Sequence, residues 1–245
     1  MARPRRVCHS APHFTQGHQH MEQVDDLLLQ VRTAHRLLAA YYQRIVPAIG
    51  DMASMLELDF YYWGNADFNS VPSGQYNVTT YDPWRLLPAM NTSYLYYKFA
   101  DKDKNKIDVG DYFVEFAVIS DTGVDSHGDG HSNELDALEL TPNVDNALSL
   151  LRVTICAPYK LFDYNLYNTV WAATAYPEFS LEPNPQKDEN EVECFVCGFE
   201  CSLGELMQKN GVEQVVERIQ QHISSTVAAA EAEHERVAGG QGVAS

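Results

Sequence analysis

Three thiols stand close together in Cys194-Phe-Val-Cys197-Gly-Phe-Glu-Cys201. Thiolates two or three residues apart converge on one Zn²⁺ when a turn folds them together, and Cys156 or a histidine could supply a fourth ligand. Read instead as a strand, the same segment points Cys194 to one face and Cys197 and Cys201 to the other. No second Cys-x-x-Cys pair completes a structural site. The competing reading is three small apolar side chains packed at the end of a strand.

The second constellation is His127-Gly-Asp129-Gly-His131. Two imidazoles and a carboxylate suit a transition metal. A metal-activated water there would make a hydrolase, with Glu115 or Glu134 as base. Both glycines equally suit a solvated acidic loop. Asp101, Asp103, Asn105 and Asp108 imitate a calcium loop, but Lys106 stands where the sharp turn needs glycine and no bidentate glutamate closes the loop. Asp111 and Glu115 have the look of an acidic nuclease strand. Ala117 occupies the position where such a site wants a lysine, and Arg152 offers a simpler role as a paired charge on the same sheet. Neither a Gly-x-Ser-x-Gly elbow nor a phosphate-binding glycine loop is present.

Aromatic side chains carry a different chemistry. Tyr61, Tyr62, Trp63, Phe68, Tyr76, Tyr81, Trp84, Tyr94, Tyr96 and Tyr97 crowd into residues 61–97. Some must be core. Tyr61, Trp63, Trp84, Tyr94 and Tyr96, if exposed beside Asp59 and Asp67, would form aromatic anchors with an acidic rim, the composition of a protein-binding face.

The elements that would position these residues are legible from periodicity. Val24, Leu27, Leu28, Val31, Leu38, Tyr41, Tyr42, Ile45 and Ile49 repeat at helical spacing. Pro47 should end or bend that helix near Val46, and Gly50 allows a short second piece to about Leu56. Period-two patterning then predicts strands over 58–63, 93–99, 111–120, 148–156 and 193–200, with 171–176 either a strand or a helical turn. The polar stretch 101–110 has hairpin composition, so the strands on either side should be antiparallel. Ser202-Leu-Gly-Glu205 reads as a capping box. Asn210-Gly211 should break the helix it opens, and Val212, Val215, Val216, Ile219 and Ile223 continue as a second.

No strand–helix–strand alternation occurs, so the predicted class is α+β: a largely antiparallel sheet of about five strands, packed by an N-terminal helix and C-terminal helices. A disordered leader is expected over 1–20, one domain over 21–226 and a disordered tail over 227–245.

Charge narrows the partners. Residues 51–201 hold 25 acidic side chains against 8 basic ones, which alone accounts for the formal charge of −17. Such a surplus repels phosphate backbones and anionic lipid and favours cationic protein surfaces. No apolar run is long enough for a membrane span. The basic start Arg3-Pro-Arg5-Arg6 lacks an apolar region behind it, and five cysteines are an odd set, so reduced thiols in the cytoplasm are expected. The sequence therefore points to an acidic cytoplasmic interaction module that binds a cationic protein surface, with an inhibitor as one form. The alternatives are a metal-dependent hydrolase built on His127, Asp129 and His131, and a module stabilised by zinc on Cys194, Cys197 and Cys201. No cofactor other than zinc is suggested, and nothing commits the chain to catalysis.

Overall fold

The structure, a computed structural model, describes residues 15–65, 91–101, 106–125, 139–162, 170–190 and 192–241. Helix α1 spans Thr15–Met55 and is followed by strands β1 (Asp59–Asn65), β2 (Asn91–Lys98) and β3 (Tyr112–Ile119). A short helix α2 (Thr122–Asp125) precedes β4 (Leu150–Pro158), β5 (Gln186–Lys187) and β6 (Cys194–Ser202), and helices α3 (Leu203–Leu206) and α4 (Gly211–Gln241) complete the chain. The strands form one six-stranded sheet in the order β1-β2-β3-β4-β6-β5, antiparallel at every pairing. The α+β class and the β2–β3 hairpin are as the sequence predicts. The short β5, held at the edge by two pairs to β6, carries too little pattern to be read from sequence.

Three boundaries differ from expectation. Pro47 does not end α1, which runs through it. An interior proline costs about 3 kcal/mol or more. Ile49, Met52 and Leu56 beyond it are all buried, and each contributes roughly 1.5–3 kcal/mol. The chain falls into two compact units there, one ending at Pro47 and the other beginning at Ala48. The leader expected over 1–20 is already helical from Thr15, its first residues lying outside the described ones.

The tail expected from 227 is instead the second half of α4, which continues to Gln241. Ala230 is fully buried, His234 Nδ1 lies 3.0 Å from the Tyr159 carbonyl oxygen, and Lys187 donates to Glu233 at 2.7 Å. These contacts hold a stretch that composition alone marks as soluble and mobile.

The second unit has a two-faced sheet. On one face, α4 lays Val215, Val216, Ile219, Ile223 and Thr226 over β4 and β6. There the His222 ring sits 4.8 Å from that of Phe199 and reaches the Arg218 and Ser180 carbonyls. On the other face, Leu95, Tyr97, Phe113, Cys156, Cys194 and Val196 form a core cluster with Ile107 and Val170. The capping box is present: the Ser202 hydroxyl accepts from Gly204 N–H while Glu205 accepts from Ser202 N–H. Asn210, at φ 60°, makes the turn between α3 and α4, and Gly211 follows because any Cβ there would strike the Glu205 carbonyl.

Candidate binding site

The sheet separates the three thiols of the zinc reading. Cys194 faces the cluster with Cys156, whereas Cys197 and Cys201 face α4. All four of these cysteines are buried free thiols. Burial pushes the Cys197 thiol up and that of Cys201 up to about 12, so neither is readily made a thiolate ligand. Among the described residues no three histidine, cysteine or acidic side chains are grouped to hold a metal ion. His127, Asp129 and His131 lie outside the described residues, as do Asp67 and Trp84.

The aromatic residues of β1 and β2 are brought together in a way the alternation rule misses. A bulge sets in between Phe60 and Tyr62, so Phe60 pairs with Tyr96 and Trp63 with Tyr94, all four on one face. The Trp63 ring stacks on Tyr94 with centroids 6.5 Å apart, and Phe60 meets Tyr96 edge-on at 5.5 Å. Tyr96 in turn meets the fully buried Phe116 at 5.6 Å. The outer members stay open to solvent: Trp63 is 55% exposed and Phe60 50%. Burial, with Tyr94 adding to it, pushes the Tyr96 hydroxyl above its ordinary range, so it stays a neutral donor.

Tyr61 belongs elsewhere. Its ring meets Tyr97 at 6.1 Å on the opposite face, against the core cluster. Asp59 pairs with Tyr97 and is also on that opposite face, so it does not rim the Phe60–Trp63 surface. Phe60, which sequence reasoning passed over, takes the place foreseen for Tyr61. The only sequence signal would have been the run Phe60-Tyr-Tyr-Trp63 itself, too uniformly aromatic to reveal a bulge.

A second feature lies on the core-cluster face. A cavity of about 240 Å³ is lined by Phe113, Glu115, Thr154, Cys156, Trp171 and Tyr176, with the small side chains of 172–175 along its rim. Glu115 and Thr154 are direct cross-strand partners between β3 and β4. Ser93 donates to Glu115 Oε1 at 2.5 Å, and the Tyr176 hydroxyl approaches it at 3.4 Å. Glu115 Oε2 and Thr154 Oγ1 are buried without a hydrogen-bond partner. Burial raises the Glu115 carboxyl above the usual range, against the Ser93, Tyr176 and Trp171 donors and the Arg152 charge, which pull it down. Arg152 itself pairs with Glu200 at 2.8 Å and lies over the Phe179 ring.

The covering segment is held by side-chain-to-backbone bonds. Asp188 accepts from Ala175 N–H and Val192 N–H, and Asn190 donates to the Ala173 carbonyl. Thr174 donates to the Val170 carbonyl. Residues 170–174 form a helical turn, the helical alternative of the two readings, and 175–176 continue without regular structure. A glutamate amid Phe113-Val-Glu-Phe-Ala-Val was the sequence signal for this cavity; Thr154, Trp171 and Tyr176 carry none.

Fold and surface together define an α+β protein with a half-exposed aromatic column at one sheet edge and a partly open, largely apolar cavity that contains Glu115. The chain belongs to the PM0109 family, whose description matches residues 21–229. It is similar to "Uncharacterized protein PM0109" of Pasteurella multocida (strain Pm70), at 23% identity over 207 residues, covering 82% of this chain and 94% of the relative. No solved structure matches. No helix among the described residues is long and apolar enough to cross a membrane.

Proposed function

We propose that this chain is a cytoplasmic, non-enzymatic interaction protein whose β1–β2 aromatic face docks on a cationic protein surface. The observation that carries the reading is the Phe60–Trp63 pair, half exposed and backed by a ring column that ends on buried Phe116. Anchors of this kind, large, rigid and already braced, contribute most of the energy at protein interfaces. The acidic surplus over 51–201 supports a basic partner and fast, salt-sensitive association. An inhibitor that imitates a phosphate backbone belongs to this class. Direct nucleic-acid or anionic-membrane binding is disfavoured by the same field. Four free buried thiols agree with a reducing compartment.

The test compares the immobilised chain with a Phe60→Ala/Trp63→Ala double variant for retention of protein from cell extract. A basic protein held at low salt, released as salt rises and absent from the double variant is the expected result. Equal retention by both chains, or retention indifferent to salt, would overturn the proposal.

A further inference from the structure

The cavity beneath residues 171–176 holds two buried oxygen atoms, Glu115 Oε2 and Thr154 Oγ1, that have no hydrogen-bond partner, although Glu115 Oε1 accepts from Ser93. Glu115 is 1% exposed, yet its Oε2 has no partner, and the neighbouring Thr154 Oγ1 is equally unmatched. A buried carboxylate oxygen without a donor is unfavourable, and native structures compensate nearly all such groups. Both side chains project from the same face of the sheet, because Glu115 and Thr154 are directly opposed in the β3–β4 ladder, and both line the cavity. The remaining walls are the rings of Phe113, Trp171 and Tyr176 and the Cys156 thiol.

We propose that this cavity is a binding site for a small organic ammonium ion, a primary amine on one aromatic ring or a short aliphatic chain. An ammonium head carries three donors and no acceptor, which matches two free acceptor atoms and one negative charge. Aromatic walls attract a cation through their faces and accept its apolar body. Among the described residues no basic side chain lines the cavity, and the nearby Arg152 is paired with Glu200, so an anion there would face the Glu115 carboxylate. The size fits as well. An apolar cavity of about 150 Å³ takes up benzene, and this one, at about 240 Å³, has room for a ring and a short arm. Entry is from the side of Tyr176, which is more than half exposed.

The probes are benzylammonium and butylammonium, with benzyl alcohol and phenylacetate as neutral and anionic controls, read by calorimetric titration and by the shift in Tm of the full chain. Both ammonium ions should bind and raise Tm, the controls should not, and Glu115→Gln should weaken binding by at least about tenfold, the loss expected for a hydrogen bond to a charged group. Apo Glu115→Gln should melt close to wild type, since the amide keeps an oxygen for the Ser93 and Tyr176 donors while the cost of burying a charge is removed. Should that variant fail to fold, Thr154→Val provides the second reading and should weaken the ammonium ions alone. No binding at millimolar probe, equal binding of benzyl alcohol, or unchanged binding in a folded Glu115→Gln or Thr154→Val would overturn the proposal.

A separate observation, confined to α1, carries a second inference. Leu28, Val31, His35, Leu38, Tyr42, Ile45, Ile49, Met52 and Leu56 recur at alternating spacings of three and four without a break. This is a coiled-coil seam. From Ile45 onward its hydrophobic positions are buried, whereas Leu28, Val31 and Leu38 are exposed, as are the flanking Leu27, Leu29 and Leu37. We infer that a second copy of this chain covers the exposed part, antiparallel, with Leu28 of each copy opposite Val31 of the other. That register sets Asp25 of each copy against Arg32 of the other on both sides of the dyad, both side chains being exposed. A parallel pair would instead stack His35 on His35 and leave Asp25 and Arg32 unmatched.

Sedimentation equilibrium of the full chain should report a dimer, Arg32→Asp a monomer, and the swap Asp25→Arg/Arg32→Asp a dimer again. A monomeric wild type, a dimer indifferent to Arg32→Asp, or a swap that stays monomeric would overturn the inference. Circular dichroism of each variant establishes that α1 remains helical, so that a loss of association is read at the seam.

Discussion

Phe60 and Trp63 lie on one face of β1 although they stand three residues apart, a spacing that sends side chains of a regular strand to opposite faces. The bulge between Phe60 and Tyr62 makes the difference and turns Tyr61 inward against Tyr97. The same column thus has a solvent-exposed end and a buried end.

Those two ends should separate in a mutation series. Trp63→Ala removes a ring that is more than half exposed and should lower stability by no more than about 1 kcal/mol, as for most surface substitutions. Phe116→Ala opens a cavity beneath the column and should cost about 3–5 kcal/mol. Urea denaturation of both variants checks the contrast. Comparable losses would mean that Trp63 is part of the core and not an anchor held ready.

Gly198 gives a second prediction. It lies opposite Thr154 in the β4–β6 ladder, on the cavity face. A Cβ there would come within 2.5 Å of the Val153 carbonyl oxygen and 2.9 Å of the Phe179 ring. Gly198→Ala must therefore shift the β4 backbone at Val153 as well as displace Phe179, which also carries Arg152 on its face. The expected loss is about 1–3 kcal/mol, that of an overpacked core site. Thermal unfolding would measure it. A neutral or stabilising Gly198→Ala would show that both the Val153 backbone and Phe179 yield freely.

Much of this architecture was legible in the residues. Period-two patterning located five of the strands because each has two faces to satisfy, and the Ser202–Glu205 box and the Asn210 turn rest on local bonds that sequence encodes directly. The bulge at Tyr61 was not legible, since an aromatic run fits either face. The extent of α1 was misjudged because burial of Ile49, Met52 and Leu56 outweighs the lost hydrogen bond of Pro47. The cavity was half legible: Glu115 stood out amid apolar neighbours, but Thr154 and Trp171 reach it only through strand order and the cover made by 170–176.

The buried thiols set a pH dependence at the alkaline end. Burial raises Cys156, Cys197 and Cys201, the last to about 12 from an ordinary 9.0. A folded-state value above the unfolded one means that the native chain holds protons the unfolded chain has released. The contribution is therefore complete below pH 9 and is lost as pH rises toward 12. Denaturation midpoints should fall over that window, and Cys201→Ala should flatten part of the slope even if it lowers the midpoint at pH 7. At pH 8 the folded chain's Cys201 should resist alkylation until denaturant is added. Rapid labelling of Cys201 in the native state would contradict its burial.

At the acid end the controlling group is Glu233, which fastens the last turns of α4. Arg236 donates to it through two nitrogens at 2.7 Å and Lys187 from β5 donates at 2.7 Å. Arg236 first, and Lys187 after it, hold the carboxyl down to about 2 from an ordinary 4.5. Here the folded value lies below the unfolded one, so the sign reverses: the clasp is complete above pH 4.5 and is lost as pH falls toward 2. Because the clasp ties only β5 to the last turns of α4, and its partners Lys187 and Arg236 are exposed, its effect should be local, a loosening of residues 230–241 ahead of global unfolding. Hydrogen exchange should show faster opening of those amides, relative to intrinsic rates, at pH 2 than at pH 5. Glu233→Gln should reproduce that loosening at neutral pH, and Lys187→Met should give part of it while leaving the Glu233–Arg236 pair intact. If both variants exchange like wild type across 230–241, the end of α4 is held by Ala230 and His234, and the Glu233 pairs contribute nothing to it.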